Sequence, residues 1–151
     1  MSAIVRNPAY ASSFDKGHLA LPPAKKYLVL TCMDARIDPA AAFGIGLGDA
    51  HVIGNAGASA QDALRSIVIS EQLLGTTRSY SSSIQEALLT SRSDAFQELK
   101  SRALDFFPFP HLKTAVEDDV KSLKSSPLIP DAVPTSGWVY KVETGKVERV
   151  V

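Results

Sequence analysis

The sequence predicts an α/β fold, a mainly parallel central sheet flanked by helices, and three observations carry that expectation. Tyr27-Leu28-Val29-Leu30-Thr31 is apolar without alternation, the pattern of a strand buried on both faces, as in a parallel sheet. His51-Val52-Ile53 is a second short strand, closed by the turn Gly54-Asn55-Ala56-Gly57. A helix follows directly: Ala60, Ala63, Leu64, Ile67, Val68 and Leu74 fall close to one helical face, Ser59 suits the N-cap and Gly75 the stop.

The other elements can be taken in chain order. Residues 1–26 are polar and turn-rich and end in Leu21-Pro22-Pro23. They read as an arm with one short helix around residues 9–15. The glycines of Gly44-Ile45-Gly46-Leu47-Gly48 read as a turn, since no Lys-Ser/Thr follows to make a phosphate loop. After the helix, strand–loop–helix order calls for another buried strand. Thr76-Thr77-Arg78-Ser79-Tyr80-Ser81-Ser82-Ser83 is polar instead, so no strand is expected there, and residues 84–104 read as helix. Leu112, Ala115, Val116, Val120 and Leu123 make one more amphipathic helix, with Glu117, Asp118 and Asp119 largely outward and Pro127 and Pro130 beyond its end. Trp138 to Val142 and Val147 to Val150, joined through Gly145, read as a hairpin.

Composition narrows the function. The 151 residues suit a single domain, residues 1–151, with 1–26 as its arm. The 16 Lys and Arg balance the 16 Asp and Glu, which leaves no basic excess for nucleic acid. No apolar run approaches the roughly 20 residues that span a bilayer, and the N-terminus does not read as a secretory signal. With Cys32 the only cysteine, no intrachain disulfide forms. A cytoplasmic protein is expected, with neither nucleic acid nor membrane as partner.

The chemistry concentrates in Cys32-Met33-Asp34-Ala35-Arg36. A thiolate is a strong zinc ligand, and if the chain leaves the strand extended, the i+2 spacing turns Cys32 and Asp34 to one side. Asp34 can then accept from a metal-bound water or occupy a metal's open position, while Arg36 holds it ionised through paired hydrogen bonds. A buried structural cysteine beside a surface ion pair accounts for the same residues. His18, His51 and His111 are the only histidines; arm, strand and helix-start positions favour a structural or surface role for each, with one of them joining Cys32 and Asp34 on a metal as the lesser alternative.

These residues do not stand alone. Cys32-Met33-Asp34-Ala35-Arg36 with Pro39, then Gly48-Asp49-Ala50-His51-Val52-Ile53-Gly54-Asn55-Ala56-Gly57, Asp62-Ala63-Leu64-Arg65-Ser66-Ile67 and Leu73-Leu74-Gly75-Thr76 together resemble the β-class carbonic anhydrases. The likeness is to their compact branch, which includes enzymes hydrolysing small sulfur-containing substrates. It covers residues 19–78 and returns from Phe106-Phe107-Pro108-Phe109-Pro110 through Ser136-Gly137-Trp138-Val139-Tyr140 to the end.

The resemblance implies zinc as cofactor, Cys32 as its first ligand, Asp34 and Arg36 as the catalytic dyad, and a homodimer. In intact members zinc lowers the pKa of a bound water and the hydroxide hydrates CO2 to bicarbonate. Two departures stand out. The family's H-x-x-C motif, which supplies the other two ligands, should follow Leu74-Gly75-Thr76-Thr77-Arg78, and Ser79-Tyr80-Ser81-Ser82-Ser83 stands there instead. Missing strand and missing motif read as one deletion, leaving the sheet short by one strand. Gly54 also stands where the family usually has Arg before Asn-Ala-Gly. The expectation is therefore a carbonic-anhydrase-family protein with an impaired or lost zinc site, Cys32 being the one matching ligand and Asp34 a possible second. The alternatives are a repurposed scaffold binding a small anion, or a zinc-independent lyase or hydrolase using Asp34 and Arg36.

Overall fold

The computed structural model describes residues 7–84 and 111–151. Within them a five-stranded sheet has the order β2-β1-β3-β4-β5. Its strands are β1 (Tyr27–Cys32), β2 (Ala50–Asn55), β3 (Arg78–Ile84), β4 (Thr135–Lys141) and β5 (Lys146–Arg149). The first four run parallel, and β5 returns antiparallel to β4 as the expected hairpin. The helices are α1 (Asn7–Ser13), α2 (Pro39–Phe43), α3 (Ala60–Val68) and α4 (Leu112–Ser125).

The sheet is not short of a strand. Arg78–Ile84, too polar to read as one, is β3, and it lies between β1 and β4 at the sheet's centre. Both neighbours present ladders of N–H and C=O groups that must be paired once buried, and the segment leaving α3 is placed to pair them. The backbone requirement overrides side-chain preference. Ile84, read as the start of a helix, closes this strand. The rest of that expected helix lies outside the described residues.

One face of the sheet carries the main core. Leu28 and Leu30 of β1 pack with Ala60, Ala63 and Ile67 of α3 and Leu123 of α4. Ser59 caps α3 by accepting from the Asp62 amide at 3.3 Å. Beyond Val68 the helix widens into a π-turn, Ile69–Leu73, which turns consecutive Ser70 and Glu71 inward; both are buried. Helix α4 approaches β4 closely because residue 137 is glycine: a Cβ there would collide with Val116 and lie 3.1 Å from Val120. Asp119, expected to face outward, instead turns toward α3 and accepts from the Ala60 amide at 3.2 Å. On the opposite face, α2 covers part of the sheet through Ala42, near Ile37, Tyr140 and Val147. Helix α1 buries none of its residues.

Candidate functional site

The site grows from the C-terminal end of β1. Cys32 is the strand's last residue, paired in register with Asn55 of β2, and the Met33 amide extends the pairing to the Asn55 carbonyl at 3.0 Å. The chain then bends. The Ile37 amide donates to the Asp34 carbonyl at 3.0 Å, and the Ile37 side chain anchors the bend beside Tyr140. Asp38 caps α2 through the Ala40 and Ala41 amides at 3.0 and 3.2 Å, with Pro39 opening the helix. Residues 34–36 are thus held between a strand end and a capped helix.

Within that bend Asp34 and Arg36 lock together. Arg36 Nε donates to Asp34 Oδ1 at 3.0 Å, its Nη2 donates to Oδ2 at 2.8 Å, and its backbone amide donates to Oδ1 at 2.8 Å. This is the fork-to-carboxylate geometry of the strongest side-chain pairs. The Arg36 hydrogen bonds, side chain first and then backbone, hold the Asp34 carboxyl down at about 2. The Asp34 side chain is 10% exposed and that of Arg36 51%, so the pair presents its cationic side outward. Cys32 is half-buried and touches both apolar clusters.

Among the described residues the donor set does not fit a zinc ion with three protein ligands. Asp34 follows Cys32 by two residues, but both its oxygens are engaged by Arg36. His51 is half-buried, with Nδ1 2.7 Å from Ser70 Oγ, which in turn lies 3.0 Å from Thr76 Oγ1. His18 is exposed in the arm and His111 is the exposed N-cap residue of α4. Among the described residues no three His, Cys, Asp or Glu side chains gather as a metal site.

Sequence reading missed the polar atoms buried around β1 and β3. Asn55 donates through Nδ2 to the Ser59 carbonyl at 2.8 Å, while its Oδ1 has no partner. Thr31 Oγ1, Ser81 Oγ and Ser82 Oγ are also buried without partners among the described residues. The available signal was the run of hydroxyl residues itself, which was set aside because it did not resemble a strand.

This fold is shared with known proteins. The carbonic anhydrase from Glaciozyma antarctica superposes with a TM-score of 0.88 at 38% identity, covering 99% of this chain and 96% of that one. The carbonic anhydrase from Streptococcus mutans gives 0.88 at 39%, with 98% and 95% covered. In sequence, "Beta-carbonic anhydrase 1" of Mycobacterium tuberculosis is 33% identical over 155 residues, 97% of this chain and 94% of the relative. The chain belongs to the β-carbonic anhydrase family. No protein-family model matches it. Near-complete coverage in both directions agrees with β3 in leaving no room for a lost strand. What separates this family member from the expected pattern is the composition of β3, which is a hydroxyl-rich strand, and not the strand's absence.

Proposed function

We propose that this β-carbonic anhydrase family protein binds CO2 or bicarbonate at the bend after β1, with Asp34 and Arg36 as the substrate-handling pair and Cys32 as its remaining zinc-directed side chain, and that its zinc-hydroxide turnover is impaired. The observation that carries this is the bidentate Asp34–Arg36 lock beside a single thiolate. Held near 2, Asp34 stays ionised at neutral pH. It is an acceptor for a protonated substrate oxygen, while half-exposed Arg36 supplies positive charge for an anion. The same low value makes Asp34 a poor general base, and general-base catalysis is worth only about 10² to 10⁴-fold at its best. That argues against the zinc-independent hydrolase and leaves anion binding as the second reading.

Ligand arithmetic sets the expected result. Structural zinc binding can supply roughly 10 kcal/mol or more with a full ligand set, and one thiolate forfeits most of it. Protein purified without chelators should hold well under one zinc per chain by elemental analysis, and stopped-flow CO2 hydration should lie far below that of an intact family member. One tightly held zinc per chain, with hydration abolished by Cys32→Ser, would refute the impaired site.

A homodimer and a cytoplasmic location belong to the same reading. Tyr10 and Phe14 of the arm meet at a tilt with ring centroids 5.5 Å apart yet remain 58% and 45% exposed, apolar surface that a partner subunit would cover. Sedimentation that finds only monomer at tens of micromolar, well above an ordinary dimer Kd, counts against the dimer.

A further inference from the structure

Strand alternation places Tyr27 of β1 and Arg78, Tyr80 and Ser82 of β3 on the sheet face opposite α3, with Trp138 beside Ser82 on β4. They line a cavity of about 640 Å³, with Lys25 at its edge, a size typical of sites for small organic ligands. Its two ends differ chemically. At the N-terminal end of the strands lie two cations: Lys25, paired with Asp49 at 2.8 Å, and exposed Arg78, which makes no ion pair among the described residues. The middle is aromatic, the Tyr27 and Tyr80 rings meeting edge to face at 5.6 Å. At the other end Ser82, 1% exposed, lines the cavity with an Oγ that has no partner, and Thr31 Oγ1 beside it in register is equally unpartnered. Buried hydroxyls without partners are uncommon in folded proteins and need an explanation.

We propose that this cavity binds a planar aromatic anion bearing a second polar group at its far end. The acid group sits on Arg78, the rings lie against Tyr27, Tyr80 and Trp138, and the far polar group bonds the Ser82 hydroxyl. Four residues of strand separate Arg78 from Ser82, about 13 Å, so the ligand is longer than a single carboxylate. Bicarbonate is too small to bridge the two ends. The cationic end lies at the strand ends opposite Cys32, whereas the hydroxyl end adjoins it, Thr31 being the residue before Cys32. The charge at one end and the orphan hydroxyl at the other call for a ligand with an acid group at one end and a polar group at the other.

The test is calorimetric titration of the full chain with 6-hydroxy-2-naphthoate. Fluorescence of Trp138, the chain's one tryptophan, reports from within the cavity. The expected result is saturable one-to-one binding that quenches Trp138. Arg78→Gln, at an exposed position, should weaken it at least tenfold by removing a charge-assisted pair. Ser82→Ala should weaken 6-hydroxy-2-naphthoate severalfold and leave 2-naphthoate, which lacks the far hydroxyl, unchanged. Absence of saturable binding at millimolar probe overturns the proposal, as does equal affinity in Arg78→Gln. Sedimentation showing that the probe dissociates a dimer would assign the groove to a second copy and overturn it too. Should Ser82→Ala fail to fold, Arg78→Gln decides the question alone.

Discussion

Strands β1 and β3 lie side by side in the middle of one sheet, each paired to a parallel neighbour on both edges, yet they are built from opposite residues. In β1 the buried side chains are Leu28, Val29, Leu30 and Thr31; in β3 they include Ser79, Ser81 and Ser82. The first strand is held by apolar contact with α3 and by its ladders. The second contributes ladders but little apolar surface. Ser79 finds the buried Glu71 carboxylate at 2.5 Å, whereas the hydroxyls of Ser81 and Ser82 find nothing. A strand's place in a sheet is therefore set by the backbone pairing its neighbours demand, and its side chains decide only how much stability that place returns.

The sharpest break of this comparison is a matched pair of truncations. Leu30→Ala should cost about 2–5 kcal/mol, as for other buried leucines, whereas Ser81→Ala should be neutral or stabilise by about 1 kcal/mol, because it removes an unpaired buried hydroxyl. Urea unfolding of both variants reads the difference directly. Equal destabilisation would mean that the β3 hydroxyls have partners after all. The next effect tests how α4 uses the small side chains beneath it. Gly137 is the register partner of Ser81, and Gly137→Ala should cost about 1–3 kcal/mol by forcing Val116 away. An unchanged midpoint would show that α4 is loosely seated over β3 and β4.

The smallest effect concerns Asp119, which ties α4, the helix over β3 and β4, to α3, the helix over β1. Burial raises its carboxyl to about 6; the Ala60 amide opposes that rise and Asp118 adds to it. The native chain then holds this proton more tightly than the unfolded one, so this residue's contribution to stability falls as pH rises from the ordinary carboxylate range to about 6 and is level above. Asp119→Asn should remove that slope in urea midpoints taken between about pH 4 and about pH 7. Burial also raises the Glu71 carboxyl, which leaves a smaller slope of the same sign in the variant, so a slope unchanged from the native chain would place the titration elsewhere.

Much of this was legible in the sequence. The run of Leu28, Val29 and Leu30 announced a buried strand, Ser59 announced the start of α3, and the Asp34–Arg36 spacing announced a pair, because each rests on local geometry: alternation, capping and two-residue reach. Asp119 was not legible, because its helical position faces outward unless another helix end lies beside it. His51 gave no sign of Ser70, since only the wide turn after α3 rotates that serine inward.

By itself the sequence determined the α/β class, the apolar β1, the helix after the second strand, the terminal hairpin and the single thiolate of the candidate site. These follow from side-chain period, turn chemistry and a count of one cysteine, none of which needs a partner elsewhere in the chain. The tertiary structure alone decided that Arg78–Ile84 is a strand, that its serines lie in the sheet's interior, and that Arg78, Tyr80 and Ser82 share a cavity with Trp138. The physical reason is that hydrogen bonds between strands are made by backbone groups every residue carries. A polar run can fill a gap that its own composition does not advertise, and only the two flanking ladders reveal that the gap is there.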